Sequence, residues 1–126
     1  LQDQPIRVYG DGNQTRSFCY VDDLVLGLVK MMDSADNITG PINLGNPVEN
    51  TMSEVVRAVL EAADSDLDMI DISSEERYGN VYEDIPRRVP SVDKAYDLLG
   101  WKPTTSMRDG VKKTVAWAKK NDWYLN

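Results

Sequence analysis

Arg16 is the side chain in this sequence best placed to meet an anion. It lies in residues 14–21, where apolar and polar positions alternate. With a strand period of two, Arg16, Phe18 and Tyr20 share one face, and Thr15, Ser17, Cys19 and Val21 share the other. A guanidinium offers planar paired donors that fit phosphate oxygens. The same residue could stand solvated or pair with Asp22 or Asp23, an arrangement that is common and weak at surfaces. A second cationic position is the adjacent pair Arg87 and Arg88, with Glu83 and Asp84 before it and Pro90 after it. Read alone, those two arginines are surface ion pairs. Asn43 interrupts the apolar Ile42-Asn43-Leu44 at the mouth of a Gly45-Asn46-Pro47 turn. A buried amide needs partners, and tying down the neighbouring turn is the simplest use for it.

Other chemistry is thinly represented. There is no histidine, which removes the commonest general base and metal ligand. Tyr20, Tyr78 and Tyr82 read as packing or loop anchors rather than acid/base residues. Asp22-Asp23 and Glu75-Glu76 lack the histidine or the spacing of a metal site, and capping or solvated roles suit them better. The single cysteine, Cys19, excludes an internal disulfide and fits a reducing compartment. Net charge is −7 with pI near 4.5, and no basic cluster exceeds a pair. Nucleic-acid and anionic-membrane binding are therefore not expected. No apolar run approaches the ~20 residues that span a bilayer and no secretory leader opens the chain, so a soluble cytoplasmic protein is expected.

The elements that must position these residues follow from periodicity. Ile6–Tyr9 alternates, Gly10-Asp11-Gly12-Asn13 is turn chemistry, and the alternation resumes at residue 14. Two runs about a Gly-rich turn predict a hairpin. Asp22 or Asp23 is expected to cap a helix whose buried side is Leu24, Val25, Leu28, Met31 and Met32. Gly27 costs that helix stability unless something packs close to it. Ile42-Asn43-Leu44 reads as a short strand. Thr51-Met52-Ser53-Glu54 is a capping box opening a helix with a stripe of Met52, Val55, Val56, Val59, Leu60 and Ala63. Residues 68–72 alternate as a strand with apolar contacts from Met69, Ile70 and Ile72, and residues 73–89 read as a long loop. Ser91 should cap a short helix ended by Gly100. Ser106-Met107-Arg108-Asp109 opens the last helix, with Met107, Val111, Val115 and Ala118 inward and Lys112, Lys113, Lys119 and Lys120 in water. At 126 residues this is a single α/β domain, a small mixed sheet or hairpin with about four helices. Its start at Leu1 is that expected of a piece of a longer protein.

Four blocks, QTRSFCYVDDLVLGL (14–28), PINLGNP (41–47), RRVPSVDKA (87–95) and LGWKP (99–103), are in the order found in one family. The chain resembles the C-terminal, substrate-binding part of extended short-chain dehydrogenase/reductases of the NAD-dependent epimerase/dehydratase family. It is most similar to UDP-glucuronate decarboxylases, with dTDP-glucose 4,6-dehydratases close behind. The resemblance implies a Rossmann-type parent in which NAD, held by an N-terminal domain not included here, oxidises the sugar at C4 before decarboxylation, dehydration or epimerisation. It also implies that Arg16 and Arg88 meet the diphosphate of a nucleotide sugar, that Asn43 reaches it, and that the strand with Gln2, Ile6, Val8 and Tyr9 lies along the base. Val89 departs from relatives that carry a further basic residue there. The family's Tyr-x-x-x-Lys pair and its Gly-rich dinucleotide loop are missing, so the chain alone is expected to bind no NAD and to be inactive. The parent is expected to be a homo-oligomer, a dimer. Rival readings are a dTDP-glucose 4,6-dehydratase or UDP-glucose 4-epimerase, and a non-catalytic nucleotide-binding or interaction module. Apolar faces of the first two helices would then pack on the missing domain, and uncovered they should drive association.

Overall fold

The computed structural model describes residues 4–72, 85, 87–121 and 123. Gln2, Tyr78, Tyr82, Glu75, Glu76, Glu83, Asp84 and most of the expected 73–89 loop lie outside the described residues. The elements are β1 (Ile6–Tyr9), β2 (Thr15–Ser17), α1 (Val21–Met32), β3 (Glu49–Thr51), α2 (Met52–Ala63), β4 (Met69–Ile72), α3 (Asp93–Leu99) and α4 (Met107–Lys120). Among the described residues this is the expected mixed α/β composition, with four helices.

The expected hairpin does not form. β1 pairs in parallel with β4, Ile6 opposite Met69, while β2 pairs antiparallel with β3, Arg16 opposite Asn50. The reason lies in the turn between them. Asp11 accepts from the Asn13 backbone N–H and side-chain amide, both at 2.9 Å, and Gly10 and Gly12 take φ of 79° and 71°, values open to glycine without strain. This geometry turns the Gly12 carbonyl toward α2, where it accepts from the Ser53 N–H at 3.1 Å and from its hydroxyl at 3.1 Å. Gln14 O accepts from the Met52 N–H at 3.1 Å, and Thr51 Oγ1 from the Glu54 N–H at 3.1 Å. Three N–H groups that a helix start leaves open are thereby satisfied. The turn docks on α2 instead of folding β2 back along β1, and β3, which leads straight into α2, becomes the partner of β2.

The capping box at Thr51 and Glu54 forms as expected. α2 lies against α4, with Val56, Ala58, Val115 and Ala118 buried, while Met52, Val55, Val59, Leu60 and Ala63 of the expected stripe are half-buried. Lys119 Nζ donates to the Ala63 carbonyl at 3.0 Å, closing the C-terminal end of α2. Ser106 caps α4, accepting from the Asp109 N–H at 3.1 Å, and Gly100 ends α3 in the left-handed region. α3 is capped at Val92 without a side-chain bond; Ser91 donates to the Asp93 carboxylate instead.

Further expectations are corrected. First, neither aspartate caps α1, whose N-cap is Tyr20. Asp23 is buried and points to residues 104 and 105. Second, the buried side of α1 is Asp23 and Gly27, not the Leu/Met stripe: Val25 and Leu28 are each 50% exposed and Met32 78%. Trp101 decides this. Its ring is 1% exposed, its Nε1–H donates to the Asp23 carbonyl at 2.8 Å, and a Cβ on Gly27 would stand 2.9 Å from Trp101 Cε2. Gly27 is what lets the indole approach the helix so closely. Third, Ile42-Asn43-Leu44 forms no strand, and the alternating Met69 and Ile70 of β4 are more than one-third exposed.

Candidate functional site

The β2–β3 ladder sorts the neighbouring side chains. Directly paired residues share a face, so Arg16 stands with Asn50, while Thr15, Ser17, Glu49 and Thr51 occupy the opposite one. On that second face Glu49 joins two elements. Its Oε1 accepts from the Thr15 hydroxyl at 2.8 Å, and its Oε2 accepts from Arg87 Nε at 3.1 Å and Nη2 at 2.8 Å. The hydrogen bond from Thr15, then that from Arg87, holds the Glu49 carboxyl below its ordinary pKa. The Ser17 hydroxyl makes a long 3.4 Å bond to the Arg88 carbonyl, 71 positions away in sequence.

Arg16 starts on the other face but curls back, its Nη1 donating to the Thr15 carbonyl at 2.7 Å. The Arg16 guanidinium and the Arg88 backbone are thus anchored at Thr15 and Ser17, about 7 Å apart along one strand. The structure brings these two positions together. Arg88 itself is exposed. Clefts of about 260 Å³, lined in part by Phe18 and Tyr20, and about 240 Å³, lined in part by Asn50, contain neither arginine. A third cleft among the described residues, of about 370 Å³, is lined in part by Asn46, Val48 and Tyr96 and also lacks both arginines. Asn50 Oδ1 is the one buried side-chain oxygen without a hydrogen-bond partner among the described residues.

The four sequence blocks also meet in space. Gly45 of PINLGNP is buried against Pro90 of RRVPSVDKA, where a Cβ would come within 2.9 Å of the proline ring. Trp101 of LGWKP packs on Gly27 of the first block, and the Leu44 side chain closes on the same glycine. Asn43 is exposed and lies in no strand, which removes the physical reason for its burial; the buried amide in that turn is Asn46, whose Oδ1 accepts from the Val48 N–H at 3.0 Å. Tyr9 is half-buried on β1, its carbonyl accepting from Gln14 Nε2 at 2.5 Å. Sequence reasoning passed over Glu49. Its partners Thr15 and Arg87 lie 34 and 38 positions away, so no local pattern marks it.

Asp23 fixes the frame behind the site. It accepts from the Thr104 N–H and hydroxyl, both at 3.0 Å, and from the Thr105 N–H at 2.7 Å. Burial works to raise its pKa, but these bonds outweigh it and hold the carboxyl below its usual value. Cys19 is pushed up by burial and by the Asp23 charge, which keeps it a thiol. Tyr20 lies against Gly110 with Lys113 Nζ 4.7 Å from its ring centre, a packing arrangement. Among the described residues no group of three or more metal-ligating side chains occurs and no helix is long and apolar enough to cross a membrane. The Gly10-Asp11-Gly12 turn does not have the geometry of a dinucleotide loop. It presents a carbonyl to α2 and opens no helix, and a phosphate loop needs backbone N–H groups aimed at the ligand.

Comparison with known proteins agrees with the geometry. Residues 1–114 match the family model described as GDP-mannose 4,6 dehydratase. UDP-glucuronic acid decarboxylase 2 of Arabidopsis thaliana is 43% identical over 115 residues, covering 91% of this chain and 24% of that protein. The chain thus spans about a quarter of the length of that relative. Among solved structures, an epimerase from Methanothermobacter thermautotrophicus superposes with TM-score 0.84 at 31% identity, over 98% of this chain and 35% of the other. UDP-glucuronic acid 4-epimerase from Bacillus cereus, in complex with UDP-glucuronic acid and NAD, gives 0.81 at 27%, over 94% of this chain and 36% of the other. With its four sequence blocks packed against one another around β2 and α1, the chain belongs to the GDP-mannose 4,6-dehydratase family of extended short-chain dehydrogenases.

Proposed function

We propose that this chain is the nucleotide-sugar-binding portion of an NAD-dependent UDP-glucuronate decarboxylase, which converts UDP-glucuronate to UDP-xylose and CO2. The observation that carries the proposal is the anchoring of Arg16 and Arg88 to neighbouring residues of β2. The Arg16 guanidinium and the exposed side chain that Arg88 carries from its anchored backbone would together match a diphosphate, which presents several acceptor oxygens and two negative charges. β1, with Tyr9, lies along the base, where backbone groups read base edges without special side chains. Gln2 and Asn43 complete the proposed contacts. Binding energy from the nucleotide orients a sugar whose chemistry takes place on residues outside this chain. The exposed stripe of α1, Val25, Leu28 and Met32, is then covered by the dinucleotide-binding domain of the parent.

The choice of decarboxylase rests on the 43% identity to the Arabidopsis enzyme against 31% and 27% for the epimerase structures. The complete enzyme, given UDP-glucuronate and NAD, should release CO2 and form UDP-xylose. UDP-galacturonate would point to an epimerase, and turnover of dTDP-glucose or UDP-glucose in its place to a dehydratase or 4-epimerase. Arg16→Ala and Arg88→Ala should each raise KM at least tenfold, since a charge-assisted bond contributes about 1.5–3 kcal/mol. An unchanged KM in both would remove the site assignment.

A further inference from the structure

Arg88 is placed by its neighbours. Of residues 87–90, Arg87 is held through its side chain by Glu49, Arg88 through its carbonyl by Ser17, and Pro90 by contact with Gly45. Only the first of these anchors is directional and strong. The Ser17 bond is long at 3.4 Å, and a ring on a glycine restrains distance but not rotation. Glu49, by contrast, is fixed at one oxygen by Thr15 and holds two donors of Arg87 at the other. A two-donor fork on one carboxylate sets the orientation of the segment as well as its position.

We propose that Glu49 is a positioning residue for substrate binding: by holding Arg87 against β2 it presents Arg88 beside Arg16 for the diphosphate. The inference rests on the reading of Arg16 and Arg88 as the diphosphate pair. Arg87 does not share that task, because its charge is already matched by Glu49 at 2.8 Å. The pair is exposed on the Arg87 side, where such bridges add little to stability. Its effect should therefore appear in ligand affinity and not in melting temperature. As a partly exposed ion pair it is also screened by salt, so this anchor weakens as ionic strength rises.

The test uses the complete enzyme, with UDP as the probe in calorimetry and UDP-glucuronate in steady-state kinetics. Glu49→Gln keeps the Thr15 bond and loses the charge; Arg87→Lys keeps the charge and loses the fork. Each should raise the Kd for UDP and the KM about three- to tenfold, with kcat within about twofold and melting temperature within about 2 °C, the small footprint of an exposed pair. The exchange Glu49→Arg with Arg87→Glu should recover most of the affinity, which a general structural defect would not allow. Unchanged UDP affinity in Glu49→Gln, alongside a loss of tenfold or more in Arg88→Ala, would overturn the positioning role and leave the diphosphate reading intact. Unchanged affinity in Arg88→Ala would overturn the diphosphate reading itself. A fall in melting temperature or kcat without a change in Kd or KM would assign Glu49 to folding alone.

Discussion

Replacing Asp23 tests the frame on which the site depends. The carboxylate accepts three hydrogen bonds from residues 104 and 105, and its backbone carbonyl receives the Trp101 indole. Bonds to a charged acceptor contribute about 1.5–3 kcal/mol each. They do not add fully, because the three donors sit on two adjacent residues and share one acceptor group. Asp23→Ala leaves the Thr104 and Thr105 N–H groups without their acceptor, at about 1–3 kcal/mol each, and we expect a total loss of about 3–5 kcal/mol. Asp23→Asn keeps one acceptor oxygen and should lose about half of that. Urea unfolding of the chain at pH 7 measures both. A loss under about 1 kcal/mol for Asp23→Ala would refute the argument.

The same residue makes a prediction in pH. Its pKa is lowered in the fold, so the unfolded chain binds more protons than the native one between the folded value and the unfolded value near 3.9. The stabilisation is fully present above about pH 4 and is lost as pH falls through the folded value. The stability gap between wild type and Asp23→Asn should therefore be constant from pH 7 to 5 and close below about pH 4. A gap that narrows above pH 5 would show that Asp23 is not the titrating group.

Gly27→Ala should destabilise the chain by roughly 1–2 kcal/mol in urea, because overpacking against the fully buried Trp101 ring outweighs the ~1 kcal/mol gain in helix propensity; a stabilised variant would show that the indole can move. Thr51→Ala removes a cap made to Glu54 at 3.1 Å and should lose about 1 kcal/mol, read from the same curves. The chain on its own should self-associate through the exposed stripe of α1, and Val25→Lys with Met32→Lys should shift it toward monomer in light scattering. Wild-type chain that stays monomeric over a wide concentration range would remove that stripe as an adhesive face.

Local chemistry was legible where one short segment carries its own instruction. Thr51 with Glu54, Ser106 with Asp109, and Gly100 after Leu99 each satisfy backbone groups within a few residues, so composition alone locates them. The hairpin failed because the turn residues specify a reversal but not its partner. Gly12 and Gln14 carbonyls find the open N–H groups of α2, forty residues on, and that long-range match decides which strand lies beside β2. The Arg16–Arg88 neighbourhood was reached only through likeness to relatives. No periodicity links positions so far apart, and Glu49, the residue that joins them, looked like one more acidic side chain before a capping box.

The α1 stripe shows what an apolar period does and does not say. Val21, Val25, Leu28 and Met32 fall at helical spacing and are all at least half exposed, while the face that is buried carries an aspartate and a glycine. The buried face is selected by fit: Gly27 leaves room for an indole, and Asp23 offers a carbonyl to its N–H and a carboxylate to residues 104 and 105. A stripe of larger side chains on the opposite face cannot use the same contact, since helix surfaces that far apart do not meet one neighbour. Periodicity therefore reports that a face is suited to burial. Whether the covering surface lies within the same 126 residues depends on which surfaces fit the helix, and here Trp101 covers the side the sequence pattern did not mark.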